Sequence, residues 1–150
     1  VALVRPAYAG FWLRAFAFAV DTFILSFFFA IIASAYPTQL IIFPDPKTQT
    51  LFEFPRLTFP GFLLLFVVMW AYYAIFETSS WQATPGKRVF RLYVTDLAGG
   101  KITFRRSSIR YFGRKISEIT FLVGYIIAGF TEKKQALHDI LAGCLVLRRR

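Results

Sequence analysis

Two long apolar runs dominate the first half of the chain, and neither shows the alternation of apolar and polar positions that is typical of a half-buried strand. The first covers residues 12–36 and contains only two charged residues, Arg14 and Asp21. The second covers residues 61–77 and contains one, Glu77, at its last position. As helices they would extend about 37 Å and about 26 Å, lengths that suit a hydrocarbon core of about 30 Å. The pattern therefore predicts two transmembrane helices.

The end of the first run also has the form of a signal-peptide cleavage site, because Ala33, Ser34 and Ala35 follow the small-x-small pattern. Two features argue against cleavage. The run is longer than the apolar core of a signal peptide, and Asp21 interrupts it. We therefore interpret the run as a retained transmembrane helix.

A third apolar segment, residues 119–130, would extend only about 18 Å as a helix, which is too short to cross a bilayer. It becomes long enough only by including the charged residues that precede it. We expect an amphipathic helix that lies at the inner membrane interface from about Ser107 and continues into a short or re-entrant membrane helix. Together the two parts cover about residues 107–130. A complete third transmembrane helix is the alternative. In either case the small-xxx-small spacing of Gly124 and Ala128 favours helix packing.

Short segments outside these runs predict small β structures. In residues 37–60, between the two transmembrane helices, the apolar runs LIIF and LFEF flank PDPKTQT and predict a β-hairpin. After the second helix, VFRLYVT alternates apolar and polar positions, DLAGG is typical of a turn, and KITF returns as a second strand. The run CLVLR near the end adds a third strand. We expect a small cytoplasmic β element formed by about residues 88–104 and 143–148.

The charge distribution orients these elements. The chain has 150 residues, 57% of them hydrophobic, and carries 18 Lys+Arg against 8 Asp+Glu, a net charge of +10. A soluble enzyme of this size rarely combines such an apolar excess with such a charge. Residues 78–118 contain nine cations and two acids, whereas residues 37–60 are balanced, so the basic segment is expected in the cytoplasm. The amino terminus is then inside and residues 37–60 are outside.

The basic segment also predicts contact with anionic lipid headgroups on the cytoplasmic side, since each cation near such a surface gains about 1 kcal/mol. The residues with this expected role are Lys87, Arg88, Arg105, Arg106, Arg110, Arg114 and Lys115. Topology and lipid explain these charges without a nucleic-acid partner. The single cysteine, Cys144, excludes an internal disulfide framework.

Three sequence elements together resemble the RDD family of small bacterial integral membrane proteins, which is named for one arginine and two aspartates. They are Arg14 with Asp21, then ATPGKR followed by RLYVTDLAGG, then QALHDILAGCLVLRR. Arg14 and Asp21 match the family's arginine and first aspartate, and Asp139 matches the second. The resemblance covers nearly the whole chain. It implies a location in the bacterial cytoplasmic (inner) membrane, and for some members of the family cation/proton exchange has been proposed.

Asp21 is the main candidate for chemistry, because it lies about 14 Å beyond the start of the first helix and therefore near the middle of the bilayer. A charge at this depth costs about 2.5–3.5 kcal/mol, so it should be paired, protonated or in contact with water. Arg14 lies on the same face but about 10 Å away along the axis, too far for direct contact. We expect Asp21 to bind a proton or a cation, gated by an ion pair between Arg14 and Asp139. The alternative is an internal polar clamp that fixes helix register.

Two further residues belong to this candidate site. Glu77 is a candidate acid at the inner end of the second helix, and its alternative role is that of a solvated cap. His138, the only histidine, could tune the proton affinity of the adjacent Asp139. The sequence offers no set of metal ligands around His138 and no catalytic serine motif. We therefore expect no metal site, no cofactor and no enzymatic activity.

Taken together, the patterns predict an all-α membrane protein with two transmembrane helices plus a third short or re-entrant membrane helix, a small cytoplasmic β element, and a single domain over residues 1–150. The leading hypothesis for its function is ion-coupled transport. Because two or three helices enclose little space, such a pathway requires a homo-oligomer or a larger membrane protein complex. The alternative is a non-catalytic accessory subunit that stabilises or regulates a larger membrane complex through its aromatic surface.

Overall fold

The computed structural model describes residues 7–43, 55–119 and 131–149 and is mostly helical. In chain order its elements are α1 (Phe11–Ala35), α2 (Pro37–Leu40), β1 (Ile41–Ile42), β2 (Arg56–Leu57), α3 (Phe59–Thr78), α4 (Pro85–Val89), β3 (Leu92–Asp96), α5 (Phe104–Ile119), α6 (Leu137–Ala142) and β4 (Cys144–Arg148). The chain forms two compact units. The larger consists of Val1–Thr22 and Trp70–Arg150, and the smaller of Phe23–Met69.

The two longest helices, α1 and α3, are the apolar runs assigned to the membrane, and their bounds agree with the predicted ones to within two residues. Both helices are long and apolar enough to cross a bilayer. Large apolar side chains cover their outer surfaces, and Phe23 and Phe59 are 73% and 78% exposed. A water-soluble domain buries such side chains, whereas acyl chains cover them in a membrane. The prediction of two helices of membrane-spanning length is confirmed.

In the smaller unit, β1 and β2 form a two-residue antiparallel ladder just before α3. The hydroxyl of Thr58 fixes the start of α3, because it donates to the Gln39 carbonyl at 2.5 Å and accepts the Gly61 N–H at 3.1 Å. The second strand of the observed ladder is Arg56–Leu57, which directly precedes Thr58. The predicted LFEF strand at residues 51–54 lies outside the described residues.

The larger unit is built around an antiparallel pair of strands, in which β3 and β4 run from Leu92 opposite Arg148 to Asp96 opposite Cys144. The chain before α1 joins this sheet through a bridge between Tyr8 and Leu147. The apolar core beside the sheet consists of Ala9, Ala17, Leu92, Val94, Ile102, Ala142, Cys144 and Val146. Residues near both ends of the chain therefore lie side by side.

The sheet differs from the predicted one in its second strand. KITF does not form a strand: residues 101–103 are irregular, and α5 begins at Phe104. Both edges of β3 are already occupied. β4 pairs along one edge, and on the other the Gln82 carbonyl accepts the Val94 N–H at 2.7 Å while its side-chain amide donates to the Val94 carbonyl at 3.1 Å. CLVLR, predicted as the third strand, is instead the direct neighbour of β3.

Helix α5 is amphipathic, with its polar side turned inward. The buried polar side chains on this helix are Ser107, Arg110, Arg114 and Ser117, and the exposed apolar ones are Phe104, Ile109, Phe112 and Ile116. This arrangement is the reverse of a surface helix in a soluble protein. It suits a helix whose outer side lies against acyl chains at a membrane interface. The membrane helix predicted to continue through residues 120–130 lies outside the described residues.

Candidate functional site

Two separate clusters of polar side chains lie in the larger unit, and the first surrounds Asp21. The Asp21 side chain, on α1, is fully buried. Its carboxylate accepts the Tyr72 hydroxyl at 2.7 Å, the Thr84 hydroxyl at 2.5 Å and the Gly86 N–H at 2.7 Å. We call Asp21, Tyr72, Thr84 and Gly86 the Asp21 site. All three donors are neutral, and no cation of the described residues lies within ion-pair distance of Asp21.

The segment that leads into α4 brings two of these donors to α1. Thr84 is the N-cap of α4, and its hydroxyl accepts the Lys87 N–H at 3.4 Å while donating its proton to Asp21. Pro85 occupies the first helical position, where its fixed φ suits the helix and its missing N–H leaves no donor unsatisfied. Gly86 has to be a glycine, because a Cβ atom there would lie only 2.7 Å from the Asp21 carboxyl carbon.

The second cluster, the Asp139–Glu77 network, contains Arg14, Glu77, Lys87, Arg110, Arg114 and Asp139. Arg110 on α5 bridges the two carboxylates, because its Nε donates to Asp139 at 2.7 Å and its Nη1 lies 2.9 Å from Glu77 Oε1. Arg14 also forms an ion pair with Asp139. The Arg14 guanidinium is held by two backbone carbonyls as well, at 3.0 and 2.6 Å. The network thus ties α1 and α5 to Asp139 on α6.

Cations surround Glu77, which lies near the end of α3. Lys87 forms an ion pair with it, and Arg114 Nη2 lies 3.7 Å from Oε1. The hydroxyl of Ser107 donates to Oε2 at 3.1 Å. Because Glu77 is only 1% exposed, its alternative role as a solvated cap does not hold. It is an anion enclosed by positive charge.

Burial and neighbouring charges shift the pKa values of this network. Burial opposes ionisation of Asp139, but the charges of Arg110 and Arg14 outweigh burial and hold the pKa of Asp139 well below its ordinary value. Burial lowers the pKa of His138 to about 3, so its imidazole is neutral at pH 7. Burial, together with the charge of Arg110, lowers the pKa of Lys87 to about 8 against the attraction of Glu77. Asp139 is therefore a fixed anion among cations.

The structure brings Arg14, Asp139 and His138 together and leaves Asp21 apart. Arg14 pairs with Asp139, and His138 Nε2 lies 3.5 Å from Asp139 Oδ1. Two donors of Asp21 belong to the segment that follows α3, so Asp21 lies level with that polar segment. This differs from the mid-bilayer depth expected from counting residues along α1. The count assumed that the helix enters the membrane at its first residue, whereas residues 11–21 belong to the larger unit.

Three of the seven cations assigned to anionic lipid are buried instead. Lys87, Arg110 and Arg114 are at most 7% exposed and form ion pairs with Glu77. A count of charges does not distinguish buried cations from exposed ones. For Arg110 and Arg114 the usual rule also fails, because the polar side of α5 faces inward. The other four cations, Arg88, Arg105, Arg106 and Lys115, are exposed or partly exposed.

Sequence reasoning missed the partners of Asp21. Thr84 and Gly86 lie in the ATPGKR element, where a threonine before proline and glycine is typical of a helix N-cap. That signal indicates a helix start whose hydroxyl and backbone N–H groups can donate hydrogen bonds to a nearby carboxylate. Nothing in the sequence distinguishes Tyr72 from the other aromatic residues of α3, because its hydroxyl finds Asp21 only in the folded chain.

The Asp21 site offers four side-chain oxygen atoms, two from the carboxylate and one each from Tyr72 and Thr84. Oxygen ligands suit a proton or a hard cation better than a transition metal. Among the described residues, no group of three or more His, Cys, Asp or Glu side chains is placed to hold a metal ion.

Comparisons with known proteins identify relatives across the whole length of the chain. The sequence profile of the RDD family matches residues 8–143, a range that includes both polar clusters. The uncharacterized protein YxaI of Bacillus subtilis (strain 168) is 32% identical over 140 residues, which cover 89% of this chain and 92% of that protein. The uncharacterized membrane protein YteJ of the same organism is 32% identical over 150 residues, 99% of this chain and 85% of that protein. No solved structure matches.

Proposed function

This chain belongs to the RDD family, and from that membership we propose that it is a bacterial membrane protein that carries out ion-coupled transport of a cation or a proton at Asp21. The two apolar helices and the membrane-protein name of one relative support the location. The single observation that carries the transport role is the neutral surrounding of Asp21.

A buried carboxylate with only neutral partners has no positive charge beside it to balance its own. Among the described residues, Asp21 has three neutral donors and no ion pair, although it is fully buried. Moving a charge from water into a protein interior costs several kcal/mol. For Asp139 and Glu77, the paired arginine and lysine side chains offset this cost. A proton or a cation bound at Asp21 would offset the cost of burying its charge in the same way. Buried acids of membrane proteins that lack a fixed counter-charge often lie on ion pathways.

Two hydroxyl groups can serve either state of the site. Tyr72 and Thr84 donate their protons to the ionised carboxylate. When a cation binds, each hydroxyl can rotate and present a lone pair to it instead. Tyr72 is only partly buried, so we propose that ions or protons reach the enclosed carboxylate along its side chain. This is the exchange route that the proposal requires.

The Asp139–Glu77 network has a supporting role in this proposal. Its carboxylates are neutralised by arginine and lysine, and its members come from α1, α3, α4, α5 and α6. We assign Arg14, Asp139 and Glu77 to a polar clamp that holds these helices together. His138, neutral at pH 7, packs beside Asp139 within it.

The position of the chain ends supports a topology with two complete crossings. Tyr8 pairs with Leu147, so both residues lie on the same side of the membrane. Two crossings by α1 and α3 return the chain to its starting side, whereas a complete third crossing would separate the pair. The excess of cations after α3 supports a cytoplasmic location for this side. A compartment-specific reporter at the carboxyl terminus should therefore report the cytoplasm, and an external signal would contradict the topology.

The transport proposal is tested by flux through purified protein in proteoliposomes. We expect proton flux driven by a sodium or potassium gradient, and we expect Asp21→Asn to abolish it while the protein still folds. Asp96→Asn is the matched control, because it removes an acid from a turn outside both clusters. Equal flux through Asp21→Asn and the unaltered protein would refute the proposal.

An accessory subunit is the second candidate function, and exposed aromatic residues on α1 and α3 favour it. Phe23, Phe27, Phe28, Phe59 and Phe62 are each more than half exposed. A partner helix could cover them as well as lipid does. If the protein shows no flux alone and leaves mild detergent with a stoichiometric larger membrane protein, the accessory role is supported. A homo-oligomer that retains flux supports transport instead.

A further inference from the structure

An open cavity in the larger unit is lined by three arginine side chains. The cavity has a volume of about 390 Å³ and lies between the segment after α3 and the residues that follow β4. Arg88, Arg91 and Arg149 line it together with Trp81 and Tyr93. No carboxylate is among the lining residues that the structure describes. We call this cavity the arginine pocket.

Backbone hydrogen bonds fix the three arginines relative to one another. The Arg91 N–H donates to the Arg88 carbonyl at 3.0 Å, and the Arg149 N–H donates to the Arg91 carbonyl at 2.8 Å. Arg91 has a φ of 57°, in the left-handed region that non-glycine residues rarely adopt. Strained backbone of this kind persists where the surrounding structure enforces it, often at binding sites. The three positive charges are thus placed together by the fold.

Aromatic rings orient two of the guanidinium groups. The Arg88 guanidinium lies 4.2 Å from the centre of the Trp81 ring, and that of Arg149 lies 5.3 Å from the centre of the Tyr93 ring. A ring that covers one face of a guanidinium leaves its edge donors available to an anion. In the part of the chain that the structure describes, none of the three arginines forms an ion pair with a carboxylate.

The geometry points to a binding site for a phosphate monoester, and this site is independent of Asp21. A phosphate monoester carries nearly two negative charges and three acceptor oxygens, and arginine binds such a group through two parallel hydrogen bonds. The pocket volume lies in the range of small-molecule sites. Ser80, which also lines the pocket, adds a hydroxyl donor.

Two sources could supply this chemistry. Trp81 lies three residues beyond the end of α3, and tryptophan at such a position is typical of the lipid headgroup region. The headgroup of a lipid with a terminal phosphate is therefore one source, and a soluble phosphate ester is the other. The shared feature is the terminal phosphate.

The test measures binding of both kinds of probe to the full chain. In one arm, glycerol 3-phosphate is titrated into the purified protein in uncharged detergent by calorimetry. In the other, the protein is placed in lipid nanodiscs of phosphatidylcholine with either phosphatidic acid or phosphatidylglycerol, and retained lipid is measured by native mass spectrometry. Saturable binding of glycerol 3-phosphate assigns the site to soluble esters. Retention of phosphatidic acid over phosphatidylglycerol, without soluble binding, assigns it to lipid.

The variants connect the binding to the pocket. The double variant Arg88→Gln with Arg149→Gln should weaken binding by about tenfold or more, since each lost hydrogen bond to a charged group is worth about 1.5–3 kcal/mol. Lys101→Gln with Lys133→Gln removes the same charge from exposed positions outside the pocket and should leave binding nearly unchanged. If the first variant fails to fold, Arg149→Lys, which keeps the charge and loses the planar fork, should still weaken binding. Equal losses in pocket and control variants, or no binding in either arm, would overturn the proposal.

Discussion

The two polar clusters of this protein differ in what surrounds their carboxylates. Asp139 and Glu77 are enclosed by arginine and lysine side chains, with Arg110 shared between them. Asp21 is just as deeply buried, but two hydroxyls and one backbone N–H are its partners. Burial is the same, and only the charge of the partners differs. A carboxylate whose counter-charge is built into the fold holds helices together, whereas one without it has a place for a mobile positive charge.

The difference extends to the way the chain supplies the partners. The network draws two of its four cations, Arg110 and Arg114, from the inward side of α5, whose apolar side faces outward. The Asp21 site draws its donors from an N-cap and from a glycine that lets the backbone approach. The first arrangement depends on charge and the second on close packing, so different substitutions should damage them.

The largest effect is expected when the shared cation of the network is removed. Arg110→Met keeps the length of the side chain but leaves Asp139 and Glu77 without the guanidinium between them, and breaking a buried ion pair in this way costs about 3–5 kcal/mol. Unfolding of the purified protein in detergent measures the loss. Arg105→Met, on the exposed side of the same helix, should change stability by about 0.5 kcal/mol or less. Similar values for both variants would show that the network does not depend on charge.

The next effect is acid lability of the network, carried by His138. Its folded pKa of about 3 lies below its unfolded value of about 6.5, so the unfolded state takes up the proton first. Stability is therefore complete above pH 6.5 and falls as the pH drops toward 3, by at most about 1.4 kcal/mol per pH unit. The lowered pKa of Asp139 adds a further loss below about pH 4.

Thermal unfolding midpoints between pH 7 and pH 4.5 check this prediction. The midpoint of the unaltered protein should fall across this window, and that of His138→Gln should change much less. The same slope in both proteins would mean that another group carries the acid response.

A smaller effect is expected from added bulk at the Asp21 site. In Gly86→Ala the new methyl group would overlap the Ala17 carbonyl and the Asp21 carboxylate, and such overpacking costs about 1–3 kcal/mol. Gly10→Ala is the matched control, because a Cβ at Gly10 meets no atom within 4 Å. Gly86→Ala should also reduce flux in proteoliposomes. If Gly86→Ala and Gly10→Ala behave alike in unfolding, the close approach of α4 to α1 at Gly86 is not required.

The sequence predicted correctly those features that depend only on the local run of residues. Two uncharged runs of sufficient length predict α1 and α3 to within two residues, because apolar length alone decides whether a helix can cross a bilayer. KITF was assigned wrongly because strand propensity does not show that Gln82 and β4 already occupy both edges of β3. Propensity is local, whereas the availability of an edge is a property of the fold.

Some members of the candidate site were predictable from the sequence, but their grouping was not. Arg14, Asp21 and Asp139 are visible in the sequence as charges within or near apolar segments. Their division into two clusters is not, since Arg110 reaches Asp139 only through the packing of α5 on α6. The inward direction of the α5 cations also reverses the usual rule that charges face outward.

Infrared difference spectroscopy of the reconstituted protein tests most directly whether Asp21 is the exchangeable carboxylate. The protein is exposed to added sodium at constant pH. We predict a carboxyl band change that Asp21→Asn abolishes and Asp96→Asn preserves. A band change of full size in Asp21→Asn would contradict the account, because the exchanging carboxylate would then lie elsewhere.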